Sequence, residues 1–122
     1  MNLLINSDAR KYTIIRPDPT LQNNLMAFGF EVGPGWVPLV AELMDKIQDL
    51  VDDNPKYADL EVVQVKEKYG ELRVYTNSDF DEVEELINEY SERLDTVCDR
   101  CGEPGKLQSI NGWYRVSCDG CK

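Results

Sequence analysis

Histidine is absent from this 122-residue chain. That removes the side chain whose ordinary pKa lies nearest neutrality, and with it every catalytic triad or dyad built on imidazole. Long apolar runs are also missing: no stretch approaches the ~20 residues needed to cross a bilayer. Met1 to Ile5 has a three-residue apolar run, Leu3-Leu4-Ile5, with no basic leader before it, unlike a signal peptide. The expectation is a cytoplasmic protein whose thiols stay reduced. Basic residues are scarce, 13 against 23 acidic ones, for a formal charge of −10. The shortage is uneven. From residue 98 onward Arg100, Lys106, Arg115 and Lys122 nearly balance Asp99, Glu103 and Asp119, so residues 1–97 carry the acidity. An acidic body repels nucleic acid and stays soluble, or attracts basic protein surfaces.

The remaining composition is that of a globular chain able to bury a modest core. Leu3–Ile5 and Tyr12–Ile15 are expected to be short strands or extended segments, closed by Pro17 and Pro19. The run from Phe28 to Gly35 is turn chemistry among apolar anchors. Trp36, Leu39, Val40, Leu43, Met44, Ile47, Leu50 and Val51 then recur at helical spacing, with Pro38 in the first turn and Asp52 to Pro55 at the end. Leu60–Lys68 and Leu72–Thr76 predict two strands joined at Tyr69-Gly70. A second helix is expected from Ser78 or Asp79, with Asp79 and Glu82 spaced as a capping box. Its apolar stripe is Phe80, Val83, Leu86, Ile87, Tyr90, Leu94 and Val97. The predicted fold is α+β: a helix–hairpin–helix body over 1–97 with N-terminal extended segments, then a zinc ribbon over 98–122 packed on it.

The ribbon follows from the cysteines. Cys98-Asp99-Arg100-Cys101 and Cys118-Asp119-Gly120-Cys121 are two C-x-x-C pairs with sixteen residues between them. Each spacing lets a tight turn aim two sulfurs at one ion. Between the pairs, Leu107–Ile110 and Trp113–Val116 read as strands, and Asn111-Gly112 is a strong hairpin signal. Four ligands of one kind close the coordination sphere, so the expected cofactor is one structural Zn2+ held by Cys98, Cys101, Cys118 and Cys121. An iron centre or two disulfides would use the same residues. A thioredoxin-like redox pair would need a C-x-x-C at a helix start within a βαβ unit, and no such setting is read.

The other chemistry-bearing groups are weaker. Asp52-Asp53 reads as a solvated helix end. Lys66, Lys68 and Arg73 have Glu67 and Glu71 as neighbours to pair with. Trp113, Tyr114 and Arg115 lie on the ribbon hairpin, where an exposed aromatic ring beside a cation suits a protein contact or a stacked base. Glu82, Glu85, Glu89 and Glu92 line the outer side of the second helix, either as a solvated face or as a contact for a basic partner.

The set Gly33-Pro34-Gly35-Trp36, Gln64-Val65-Lys66-Glu67-Lys68-Tyr69-Gly70, Leu72-Arg73-Val74-Tyr75, Cys98-x-x-Cys101-Gly102, Pro104-Gly105, Gly112-Trp113 and Cys118-Asp119-Gly120-Cys121 resembles a family of small uncharacterised proteins of bacteria and their phages. The likeness spans roughly residues 28–122. It implies helix, hairpin, helix and zinc knuckles in that order, and brings no activity or catalytic residues with it. The phage association points to an inhibitor of a host protein. The expected function is a non-enzymatic zinc-binding interaction module whose protein partner presents a basic surface, with no membrane and no nucleic acid as target. The alternatives are a nucleic-acid-binding regulator that uses the ribbon, and an acidic mimic of DNA.

Overall fold

A computed structural model describes residues 12–22, 24–26 and 29–121. The expected strand at Leu3–Ile5 lies outside them, as do Phe28 and Lys122. The elements run β1 (Phe30–Glu31), α1 (Val37–Asp53), one turn of 3-10 helix (Pro55–Tyr57), β2 (Val62–Lys68), β3 (Glu71–Thr76), α2 (Asp81–Leu94), β4 (Lys106–Ile110) and β5 (Trp113–Ser117). The fold is α+β, with two helices, two small sheets and a C-terminal cysteine cluster. No helix among the described residues is long and apolar enough to cross a membrane.

The first sheet has the order β1-β2-β3. Within the expected turn from Phe28 to Gly35, Phe30 and Glu31 pair in parallel with Val65 and Lys66. Two residues are too few to show strand periodicity, so β1 is invisible until β2 exists. The chain β1-α1-β2 is therefore a βαβ unit, a setting not read from the sequence. Neither C-x-x-C opens its helix, so the thioredoxin pattern stays absent.

β2 and β3 form an antiparallel hairpin, with Lys66 opposite Arg73 and Lys68 opposite Glu71. Tyr69 (φ 56°) and Gly70 (φ 80°) both take left-handed angles in its two-residue turn, as the twist of such a hairpin demands.

α1 buries Val40, Leu43, Met44, Ile47 and Val51, and α2 buries Val83, Ile87, Tyr90 and Leu94. These close over Val62, Val65 and Leu72 of the sheet in one core that also takes in Trp36 and Val116. Periodicity missed one inward residue of α1, Gln48, which is buried. Its Oε1 accepts the N–H groups of Thr13 (2.9 Å) and Ile14 (3.2 Å), and its Nε2 donates to Thr13 Oγ1 (2.8 Å) and Asp52 Oδ1 (2.9 Å). All four bonding positions of the amide are used, which is what makes its burial tolerable. The segment around Tyr12–Ile15 consequently bends at Thr13 and Ile14 instead of forming a strand. Ile14 still reaches the sheet, where its carbonyl accepts the Val62 N–H at 2.8 Å.

The capping box does not form. Phe80 is the N-cap of α2 and gives no side-chain cap bond. Glu82 instead accepts the Tyr57 hydroxyl and lies 3.7 Å from Lys56 Nζ. That long-range bond outweighs the local one because it closes the 3-10 turn onto α2.

Tyr90 and Glu42 join the two helices in the same way, the phenol donating to the carboxylate beside Arg93. Burial, and then the Glu42 bond, push the Tyr90 phenol up to about 12, while Tyr90 and Arg93 hold the Glu42 carboxyl below its usual range. A raised phenol pKa means that the fold prefers the protonated phenol. That stability is complete below pH 10 and is lost as pH rises toward about 12. Glu42 acts on the other limb: its contribution is present above pH 4.5 and disappears as pH falls through its lowered pKa. Urea midpoints against pH are expected to show both limbs, with Tyr90→Phe flattening the alkaline one. An unaltered alkaline limb in that variant would assign the loss to other groups.

Candidate metal centre

Two turns and one hairpin build the site. Beyond α2 the Cys98 N–H donates to the Glu103 carbonyl (2.7 Å), and the Gly102 N–H returns to the Cys98 carbonyl (3.0 Å). The second turn repeats the device, with Cys121 N–H to Cys118 O at 3.2 Å. Between them β4 and β5 pair from Lys106 opposite Ser117 to Ile110 opposite Trp113, around Asn111-Gly112. That register returns Cys118 to the first turn. The ligand atoms of Cys98, Cys101, Cys118 and Cys121 all lie within 4.8 Å of one another. Cys101 Sγ and Cys118 Sγ are 3.6 Å apart, and all four thiols are free. Sulfurs bound at about 2.3 Å to one tetrahedral ion stand about 3.8 Å apart, so the four residues fit a metal ion.

The electrostatics suit a cation. Burial opposes ionisation of Cys98, but N–H groups of Cys101, Cys118 and Arg100 point at it, and its thiol falls to about 6. Cys121 moves the other way, to about 12, through its hydrogen bonds with Cys118, Cys101 and Cys98. In the Cys101 thiol the Glu103 N–H, which favours the thiolate, is outweighed by burial and neighbouring sulfurs, and the pKa rises. The neighbouring sulfurs thus favour the protonated Cys101 and Cys121 while Cys98 favours its thiolate. A divalent ion would take the place of the remaining protons.

The first turn is bolted to β5 and to the body. Asp99 N–H donates to the Val116 carbonyl and Gly35 N–H to the Asp99 carbonyl, each at 2.9 Å. Trp36 Nε1 donates to the Val97 carbonyl at 2.8 Å. Backbone meets backbone here. A Cβ at Gly35 would lie 2.2 Å from Cys98 O and 2.5 Å from Gly102 N, and one at Gly33 would lie 2.1 Å from Asp99 O. The sequence flagged Gly33-Pro34-Gly35 as turn chemistry, and nothing in it told of this close approach. Gly35→Ala is expected to destabilise the protein by about 3 kcal/mol, because neither partner is a side chain that can swing aside. A urea midpoint equal to that of wild type would show that the loop can retreat.

The remaining candidates separate. Glu82 is engaged by Tyr57 and Lys56, while Glu85 and Glu89 are exposed beside Leu50 and Leu86 in a shallow depression between the helices. Glu92 is exposed further along α2. Trp113, Tyr114 and Arg115 lie elsewhere, beside the β2–β3 turn. Arg115 Nη2 and Nε donate to the two oxygens of Asp99 at 2.6 and 3.1 Å, and this partner raises the guanidinium pKa further. The guanidinium thus braces the first cysteine turn.

These features define a small α+β protein with four C-terminal cysteines placed so that they could hold a metal ion. Comparison with protein-family models, with curated proteins and with solved structures finds no match.

Proposed function

We infer that the chain is a non-enzymatic protein-interaction module in which one structural zinc ion holds the C-terminal hairpin on an acidic body. The observation that carries this reading is the donor set: four thiols converge within 4.8 Å. Four thiolates saturate a tetrahedral ion and leave no position for water or substrate. Soft sulfur donors in that number favour zinc among common divalent ions. The absence of histidine adds support, since the usual proton-transfer group is missing.

The outer side of α2 supplies a face for the partner. Glu85, Glu89 and Glu92 are exposed on one helix of a chain whose charge is −10. Their field favours a partner with a basic surface. Elemental analysis of the purified protein is expected to find one zinc per chain; iron in its place would overturn the metal assignment. Affinity capture with the purified chain is expected to retain a basic protein. Reversing Glu85, Glu89 and Glu92 to Lys is expected to release it, with unchanged thermal stability. Capture that survives the reversal would remove α2 as the contact face.

A further inference from the structure

We propose that the groove between the tips of the two hairpins is a second recognition site, for an extended segment of a partner protein that carries an aromatic or branched aliphatic side chain flanked by carboxylates. The groove has a volume of about 550 Å3 and is lined by Lys66, Lys68, Tyr69, Trp113 and Tyr114 among others. It is independent of the acidic face of α2, and either can fail without the other.

Three observations carry the proposal. The first is where the exposed apolar surface collects. Of six large hydrophobic side chains exposed among the described residues, three line this groove: Tyr69, Trp113 and Tyr114. Trp113 is 75% exposed and Tyr69 67%. Single exposed apolar residues mean little, but a gathered aromatic patch marks an interaction surface, and Trp and Tyr are the residues that most often dominate binding energy.

Backbone conformation is the second. Tyr69 sits at φ 56°, a turn position where Asn, Asp or Gly is the unstrained choice. A bulky ring held there costs conformational energy, and such strain concentrates at ligand clamps. The ring is not repaid by burial within the chain. It faces outward, with Lys68 Nζ 5.5 Å from its centroid.

The third is charge. On a chain of −10 the groove is locally positive. Lys66 and Lys68 have no ion pair with a carboxylate among the described residues. The neighbouring acids are engaged elsewhere: Glu67 turns its carboxylate onto the Gly70 N–H at 2.6 Å, Glu71 opposite Lys68 pairs with Arg73, and Glu31 opposite Lys66 accepts from Gln64. Arg115 is spent on Asp99. Two free ammonium groups beside aromatic walls match carboxylates either side of an apolar anchor. They are too few to hold a polyphosphate strand against the repulsion of the whole chain, which favours a peptide over nucleic acid. The two hairpins meet at this point: a Cβ at Gly70 would come within 2.5 Å of Leu107 Cδ1.

The test is to pan a library of random dodecapeptides on the zinc-loaded chain and to measure the enriched consensus peptide by fluorescence anisotropy, with an oligothymidylate as the competing probe. The expected consensus has one aromatic or branched residue flanked by Asp or Glu. Trp113→Ala, and separately Lys66→Glu with Lys68→Glu, are expected to weaken that peptide by ~10-fold or more. Both changes fall on side chains outside the core, and matched thermal melts confirm that the variants fold. No consensus, a consensus without carboxylates, affinity unchanged in either variant, or tighter binding of the oligothymidylate would each overturn the proposal.

Discussion

If the four cysteines hold zinc as proposed, stripping it, or replacing Cys98 by serine, is expected to unfold residues 97–121 while the helices and the first sheet persist. In β4 and β5 only Val116 and Ser117 are buried. Burying one valine contributes about 2 kcal/mol. Ordering a residue costs about 1 kcal/mol or more, and this segment must order some twenty-five of them. Its backbone bonds are made largely within itself and contribute modestly against water. A four-thiolate zinc site would supply about 10 to 16 kcal/mol, several times the packing contribution, and would offset much of that cost. Cys98 is the most sensitive ligand because it is fully buried and its thiol already ionises most readily. Serine there would lose the ligand and strand a hydroxyl. The checking measurement is amide hydrogen exchange with and without EDTA. Protection of the Cys98, Asp99, Gly102 and Cys121 N–H groups, all hydrogen-bonded in the folded turns, is expected to collapse, while that of α1 from Val40 to Val51 survives. Exchange indifferent to the chelator would mean that the ribbon stands on packing alone, and the structural role of the metal would be lost with it.

The parts legible in the sequence were those with a local cause. The α1 stripe from Val40 to Val51, the two hairpin turns and the paired C-x-x-C spacings each follow from contacts between near neighbours in the chain. The cysteines were readable for a further reason: two short turns joined by one hairpin leave few other ways to arrange four sulfurs. What stayed hidden depends on partners far away in sequence. Gln48 looks like a polar interruption of an apolar face until Thr13 and Ile14 are brought to it. Glu82 looks like half of a capping box until Tyr57 claims it. Arg115 looks like a free cation until Asp99 takes two of its donors. The glycines at 33 and 35 read as loop residues because their reason, the backbone of Cys98 and Asp99, lies more than sixty positions downstream. Each miss is a side chain or a space filled by tertiary contact, which periodicity cannot report.

The same long-range logic makes Trp36 the other position of large effect. It is completely buried, belongs to the core of the body, and donates Nε1–H to the carbonyl of Val97, the residue before the first ligand. Trp36→Ala is expected to cost about 3 to 5 kcal/mol, the range for deleting a large aromatic side chain from a packed interior. Trp36→Phe separates the two roles. It keeps most of the packing and removes the indole donor, leaving the Val97 carbonyl without that partner, for a smaller loss of about 1 to 2 kcal/mol. If Trp36 does no more than fill the core, the phenylalanine variant should bind metal as wild type does. The Val97 carbonyl lies one peptide from Cys98, however, and groups that orient a ligand commonly change metal affinity by about 10- to 100-fold. Competition against a chromophoric chelator is therefore expected to show at least ~10-fold weaker metal binding in Trp36→Phe, at a temperature where its helices remain folded. Equal affinity in the two proteins would confine Trp36 to packing and break the proposed link between the body and the metal.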